Sequence, residues 1–333
     1  METCSEYLMK SDFKKYREYL KEKYNMKANF QTKQFPHIEV TTTQPKSEPE
    51  DLWNDVVNFL ADEYLDPNEF RWVFRGVSKA GYRLESRLDR ELKSRRRAHL
   101  NGNHVDRQTA EEYLLVQFKR AAHNFIEAAM VPDNTLEWLA LMQHYGAPTR
   151  LLDFTRSPYV ACFFALEESD DSRRRDIKRT IWAIDATWLE NSSLSRIKNL
   201  ATLCDFTSDN LRDSRFMAKN YEKVFGNDRL SVILPIVPPR SNPRLLVQQG
   251  LFLCPGAPKK SFHQILSSYK DERDMQKSVH KILIDGRIRH EVLSELHFMN
   301  ISRASLFPGL EGFATSLKHE VYYKSSVEIS GQR

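Results

Sequence analysis

Three short segments place polar side chains where their apolar neighbours call for a core. The first is Phe74-Arg75-Gly76-Val77-Ser78, directly after Trp72-Val73. An arginine there either snorkels from a sheet edge or turns inward to meet an anion, and the adjacent glycine lets a ligand approach the backbone. The second is the run from Gln143 to Pro158, where His144, Tyr145, Thr149, Arg150, Asp153, Thr155, Arg156 and Ser157 crowd between two apolar stretches. An unpaired buried polar group costs about 1–3 kcal/mol, so these groups must satisfy one another or a ligand. For His144 the competing reading is a hydrogen-bonded core histidine, and for Arg150 with Asp153 a structural ion pair. The third is Leu245 to Leu253, where Gln248 and Gln249 interrupt an apolar strand pattern. Successive strand side chains point to opposite faces, so one of these glutamines is expected to face a cleft. A glutamine suits ribose hydroxyls or a carboxamide and does not suit the work of a general base.

Elements to hold these segments are written along the chain. Residues 5–25 set Tyr7, Leu8, Phe13, Tyr16 and Leu20 at helical spacing, and the stretch from Phe30 to Glu50, with Pro36, Pro45 and Pro49, reads as an extended connector. A helix follows Pro49, with Glu50 and Asp51 suited to its first turn. Arg71 to Gly76 reads as a strand, roughly Arg107 to Met130 as a helix, and a second helix begins near Asn134. Leu151 to Phe154 reads as a buried strand, and Ser157-Pro158 supplies an N-cap and a first-turn proline for a helix over Tyr159 to Glu168. Further strands are expected at Thr180 to Ile184, Ser231 to Val237, Leu245 to Cys254 and Val279 to Ile284. This order lacks a regular βαβ rhythm, so the expected class is α+β with a mostly antiparallel or split sheet. Neither a GxGxxG turn nor a phosphate-binding GxxxxGK[ST] loop is present.

With 333 residues, 41% hydrophobic and 29% charged, the composition is that of a globular chain. The longest apolar run, Tyr159 to Leu166, is under half the roughly 20 residues of a membrane helix, and Met1 to Lys27 lacks a signal-peptide core. A cytoplasmic protein without a membrane partner is expected. Cys4, Cys162, Cys204 and Cys254 lie too far apart for zinc spacing or a disulfide framework, and no acidic cluster suits a metal, which disfavours a nuclease. The net charge of +5 is locally concentrated, with Arg95, Arg96 and Arg97 in one cluster and Arg173, Arg174 and Arg175 in another. Both are candidate nucleic-acid contacts, weighed against plain solvated surface.

The sequence resembles the FRG-domain family through Phe74-Arg75-Gly76, through Gln143-His144-Tyr145-Gly146 with Pro148-Thr149-Arg150-Leu151-Leu152-Asp153, and through Thr155, Ser157-Pro158, Ala161 and Phe164-Ala165. The likeness continues at Gln248-Gln249-Gly250-Leu251-Phe252 and at Ser305 to Gly312, and covers about residues 50–318. The motif order is also similar to the three-motif core of ADP-ribosyltransferases, which implies a split, mostly antiparallel sheet and NAD as substrate. By that resemblance Arg75, Thr155, Ser157 and Gln249 are the catalytic candidates, and Arg75, Gly76, His144, Tyr145, Arg150 and Asp153 are the NAD-binding ones. The third motif departs from the pattern, because Gln248-Gln249 stand where a catalytic glutamate is usual. Glutamine keeps a hydrogen bond to ribose and loses the field of the carboxylate, which leaves Glu85, Asp153 and Glu311 as substitute acids.

The resemblance implies an NAD-dependent ADP-ribosyltransferase, a cytoplasmic effector of prokaryotic antiviral defence or the toxin of a toxin-antitoxin pair. Its expected target is nucleic acid, RNA in particular, and a neutralising antitoxin or other regulatory protein is an expected partner. The alternative is a non-catalytic nucleic-acid or nucleotide-binding module, which accounts directly for the missing acid. The expected organisation is an N-terminal helix and connector at 1–48, an FRG domain at 49–320 and a tail at 321–333. The N-terminal segment is expected either to pack on the domain or to dock a partner.

Overall fold

Strand patterning in the middle of the chain dictates a sheet covered on both faces. The computed structural model describes residues 12–31, 36–42, 49–66, 71–81, 83–98, 106–168, 178–203, 205–269 and 272–317. Its strands are β1 (Met26–Gln31), β2 (His37–Thr42), β3 (Trp72–Val77), β4 (Leu152–Thr155), β5 (Lys178–Asp185), β6 (Ile233–Ile236), β7 (Gly250–Pro255) and β8 (Val279–Asp285). The early helices are α1 (Phe13–Tyr24), α2 (Pro49–Tyr64), α3 (Arg87–Ala98), α4 (Arg107–Ala122), α5 (Thr135–His144), α6 (Pro158–Leu166) and α7 (Ala186–Lys198). Shorter ones follow: α8 (Ser208–Arg212), α9 (Ser214–Lys219), α10 (Tyr221–Phe225), α11 (Pro243–Val247), α12 (Phe262–Leu266), α13 (Glu272–Ser278), α14 (Arg289–Phe298) and α15 (Arg303–Leu306).

All eight strands join one sheet in the order β1-β2-β8-β5-β3-β4-β7-β6. Every pairing is antiparallel except β2 with β8. The α+β class and the mostly antiparallel sheet are therefore as the sequence implies. Successive residues of β3 serve opposite faces: Phe74 packs with α1, α2 and α6, and Val73 packs with α7 and α12. A third apolar cluster under α4, α5 and α8 to α10 closes the β6–β7 end. In β5 every residue after Lys178 is buried, as befits a strand with both faces covered.

The junction between β3 and β4 is the narrowest point of the sheet, with only Phe74 opposite Thr155 in register. By contrast β3 pairs with β5 over six positions, from Trp72 opposite Asp185 to Val77 opposite Thr180. Beyond Phe74, β3 and β4 therefore diverge, and a cleft opens between them.

Three expectations differ from the structure. The connector at 30–50 contains β2, and α1, β1 and β2 are part of the sheet and its core: Tyr16, Leu20, Met26, Ile38 and Val40 are fully buried. Pro36 precedes β2 without interrupting it, so the proline leaves the ladder of residues 37–42 intact. The expected strand at Leu245 to Cys254 is instead helix α11, a turn and then β7. Asn242 caps the helix by accepting a hydrogen bond from the Leu245 amide at 2.8 Å, with Pro243 in the first turn. The helix expected to reach Met130 ends at Ala122. Among the described residues no helix is long and apolar enough to cross a membrane, and Cys162 and Cys254 are buried free thiols.

Candidate functional site

The cleft has a volume of about 460 Å³ and draws its walls from β3, β4, the end of α6, the loop before α3, and α11. Arg75 forms its floor, with the side chain only 18% exposed. Where the backbone ladder between β3 and β4 stops, the Arg75 guanidinium takes over, donating from Nη1 to the Asp153 carbonyl at 2.6 Å. The Asp153 carboxylate lies 3.9 Å from the same nitrogen. Burial pulls the Arg75 pKa down, Asp153 pushes it up and nearby Arg90 pulls it down again.

Behind Arg75 a polar chain runs back into α5. Gln143 donates from Nε2 to the Asp153 carboxylate at 2.8 Å and accepts the Thr149 hydroxyl at 2.5 Å. Much of the polar density in the second segment is thus spent holding Asp153 in one orientation. The carboxylate keeps half its surface exposed.

Gly76 lines the cleft and has a second reason to be glycine besides the one its sequence context implies. A Cβ there would sit 2.0 Å from the Ala161 carbonyl oxygen and 2.6 Å from the Ala165 amide, so its missing side chain lets α6 lie directly on β3. The Thr155 hydroxyl lies at the cleft wall, donating to the Gln248 carbonyl at 2.7 Å and accepting the Ser157 amide at 3.0 Å. Ser157 caps α6 through its Oγ, which accepts the Val160 amide at 3.3 Å, and it is not a cleft residue.

The glutamines exchange the places expected for them. Gln248 is buried at the cleft wall and donates from Nε2 to the Leu306 carbonyl at 2.9 Å, tying α11 to α15. Gln249 is exposed, outside the cleft, in the left-handed region at φ 47°. Strand alternation does not apply to them, because both residues sit in a turn rather than a strand.

Arg150 is likewise not a cleft residue. It is buried with Glu111, donating from Nε to the carboxylate at 2.5 Å, while Nη1 donates to the Phe225 carbonyl at 2.8 Å. Its partners are core groups, it does not line the cleft, and its carboxylate partner is Glu111 rather than Asp153. His144 and Tyr145 also lie outside the cleft lining. The His144 Nδ1 is buried without a hydrogen-bond partner among the described residues, and burial, then Arg244, lowers the ring pKa against the opposing pull of Glu311. Tyr145 is 65% exposed. Of the basic clusters, Arg173, Arg174 and Arg175 and the side chains of Arg95, Arg96 and Arg97 lie outside the described residues.

Two of the substitute acids, Glu85 and Asp153, line the cleft, and Glu311 does not. Glu167 and Glu168, missed in the sequence because they follow the apolar run of α6 as ordinary polar residues, join them. Glu167 pairs with Arg303 at 2.5 Å, Glu168 accepts the Ser78 hydroxyl at 2.7 Å, and Glu85 pairs with Lys93. Arg83, Arg90 and Arg244 add positive charge to the same walls. No group of three candidate metal ligands occurs among the described residues.

No curated protein and no solved structure matches the chain. Residues 70–174, which supply Arg75, Gly76, Asp153, Thr155, Glu167 and Glu168, match the family model of the FRG domain.

Proposed function

We propose that the cleft binds NAD and that the chain transfers ADP-ribose from it to a nucleic-acid target, RNA in particular. The observation that carries this reading is convergence: Arg75 from β3, Asp153 and Thr155 from the neighbouring β4, and Gln248 from the turn between α11 and β7 meet in one cleft. Its volume falls within the range of small-molecule sites, and its walls carry both arginines for phosphates and carboxylates for a developing cation.

The bond between nicotinamide and the ribose C1′ breaks with its electron pair leaving on nicotinamide. The ribosyl cation is then captured by a target nucleophile, which loses its proton. Such a reaction needs positioning and charge stabilisation more than an enzyme nucleophile. In this reading Arg75 contacts NAD, Gln248 offers its carboxamide oxygen to ribose, and Asp153, held by Gln143 and half exposed, supplies the negative field. The setting is that of a cytoplasmic defence or toxin effector.

The second reading is a nucleotide-binding module without turnover. It is favoured by one observation: the glutamine at the third motif is already committed through Nε2 to the Leu306 carbonyl. Incubation of the purified chain with adenylate-labelled NAD and cellular RNA, DNA and protein separates the two. Label retained on RNA with stoichiometric nicotinamide release supports the first reading. NAD binding without release or transfer to any polymer supports the second.

A further inference from the structure

Among the described residues two cleft guanidiniums, Arg83 and Arg244, have no hydrogen-bonded acceptor, and Arg83 is exposed whereas Arg244 is partly buried. Arg244 lines the cleft from α11, and among the described residues its guanidinium makes no hydrogen bond or close ion pair. Its position is nonetheless fixed. The guanidinium carbon stacks on Phe307, 4.4 Å from the ring centroid, and the one-turn helix that carries it is held by the Asn242 cap and by Gln248 bound to Leu306. Stacking holds the guanidinium plane and leaves its N–H edges for a ligand.

The neighbouring charges explain why this arginine stays unsatisfied. Arg303 lies 4.2 Å from the same ring and pairs with Glu167, so that carboxylate is already committed. Asp153 is engaged by Gln143 and flanked by Arg75. Partial burial lowers the Arg244 pKa and Arg303 lowers it further, while Asp153, Glu167 and Glu311 act in the opposite direction from beyond contact distance. A pre-oriented fork of donors beside a second guanidinium is a site for a doubly acceptor-rich anion, and a phosphate offers that geometry.

We propose that Arg244, braced by Phe307, is the phosphate anchor of the cleft and takes a phosphate of the nucleotide bound there. This deepens the NAD reading and rests on it for the identity of the nucleotide. Arg75, already donating to the Asp153 carbonyl, is then left to orient the part of the ligand nearest β3 and β4.

The test is calorimetric titration of the full chain with inorganic pyrophosphate, ADP-ribose and adenosine at fixed low salt. The variants are Arg244→Ala, Arg244→Lys and Phe307→Leu, each checked by thermal unfolding. Pyrophosphate and ADP-ribose are expected to bind the unaltered chain and to weaken at least tenfold in Arg244→Ala, with adenosine unchanged. Arg244→Lys keeps the charge and loses the fork, and Phe307→Leu keeps the fork and loses its brace, so both are expected to weaken the anions by a smaller factor. Should Arg244→Ala fail to fold, these two variants decide the matter. Anion affinities unaltered in all folded variants, or no anion binding by the unaltered chain, overturn the anchor. Arg244-dependent pyrophosphate binding with ADP-ribose no tighter keeps the anchor and removes the dinucleotide. ADP-ribose binding that ignores Arg244 does the reverse.

Discussion

Arg150 and Arg75 belong to the same family motifs and lie within two adjacent regions, yet the structure treats them in opposite ways. In the region of α4 and α10, Arg150 is buried against Glu111 and the Phe225 carbonyl. In the cleft, Arg75 makes one hydrogen bond among the described residues, to a backbone carbonyl, and shares a space with other arginines and several carboxylates. An arginine in a polar motif thus reveals its role through what saturates it. The largest expected effect follows from that contrast. Arg150→Ala leaves Glu111 buried without its cation and is expected to destabilise the fold by about 3–5 kcal/mol, read by chemical unfolding. Replacing both partners, as Arg150→Met with Glu111→Leu, is expected to recover a large part of this. Arg75→Ala is expected to lose about 1 kcal/mol from its single bond and to abolish NAD transfer in a folded protein. Equal stability losses for Arg150→Ala and Arg75→Ala would erase the distinction.

Gly76 sharpens the comparison from the packing side. Its neighbour Arg75 faces the cleft, and Gly76 itself presses on α6, so Gly76→Ala is expected to act on the fold first. The obstructing atoms are backbone, at 2.0 Å and 2.6 Å, and cannot rotate away. A destabilisation of about 1–3 kcal/mol is expected in equilibrium unfolding. Loss of NAD transfer with an unchanged unfolding midpoint would instead assign Gly76 to the ligand.

A half-buried carboxylate outside the cleft extends the contrast to pH. Glu111 faces Arg150, whereas Glu63 on α2 accepts hydroxyls from Tyr19 at 2.6 Å and Tyr24 at 3.3 Å. Lys23 and Asp62, paired with each other, lie beside it between α1 and α2, with Asp62 also accepting the Tyr24 hydroxyl. Burial pushes the Glu63 pKa up to about 8 from 4.5. The folded state therefore holds a proton that the unfolded chain releases, so this contribution is full below pH 4.5 and is lost as pH rises towards and through 8. Unfolding midpoints measured across that window are expected to fall with pH, and Glu63→Gln is expected to flatten the slope. A slope unchanged in Glu63→Gln would place the titration elsewhere.

The legible parts of the molecule are those fixed by local pattern. Ser157-Pro158 announces the start of α6, Trp72 to Gly76 announces β3, and the motif residues Arg75, Asp153 and Thr155 do share a cleft. What was hidden depends on distant partners or on competing short-range signals. Glu111 lies 39 residues from Arg150 and carries no mark of its role. Met26, Ala28, Ile38 and Val40 alternate over strands too short to stand out among lysines and prolines, although they pair β1 with β2 and carry the sheet's edge. Leu245-Leu246-Val247 is compatible with a strand or a helical turn, and the deciding signal was the Asn242-Pro243 cap before it.

The smallest expected effect concerns that turn. Gln248 and Gln249 are adjacent, yet one is buried with a side-chain bond and the other is exposed at positive φ, so their substitutions are expected to separate cleanly. Gln248→Ala leaves the Leu306 carbonyl without its donor and loosens α15 against α11, and is expected to lower both transfer and stability, the latter by about 1 kcal/mol. Gln249→Ala is expected to leave transfer unchanged. Gln249→Gly relieves the left-handed conformation at φ 47°, while the added freedom of glycine in the unfolded chain works against it. A net change within about 0.5 kcal/mol is therefore expected in equilibrium unfolding, with full transfer activity retained. A Gln249→Gly protein that folds normally and loses turnover would bring Gln249 back to the reacting ribose and displace Gln248 from that role.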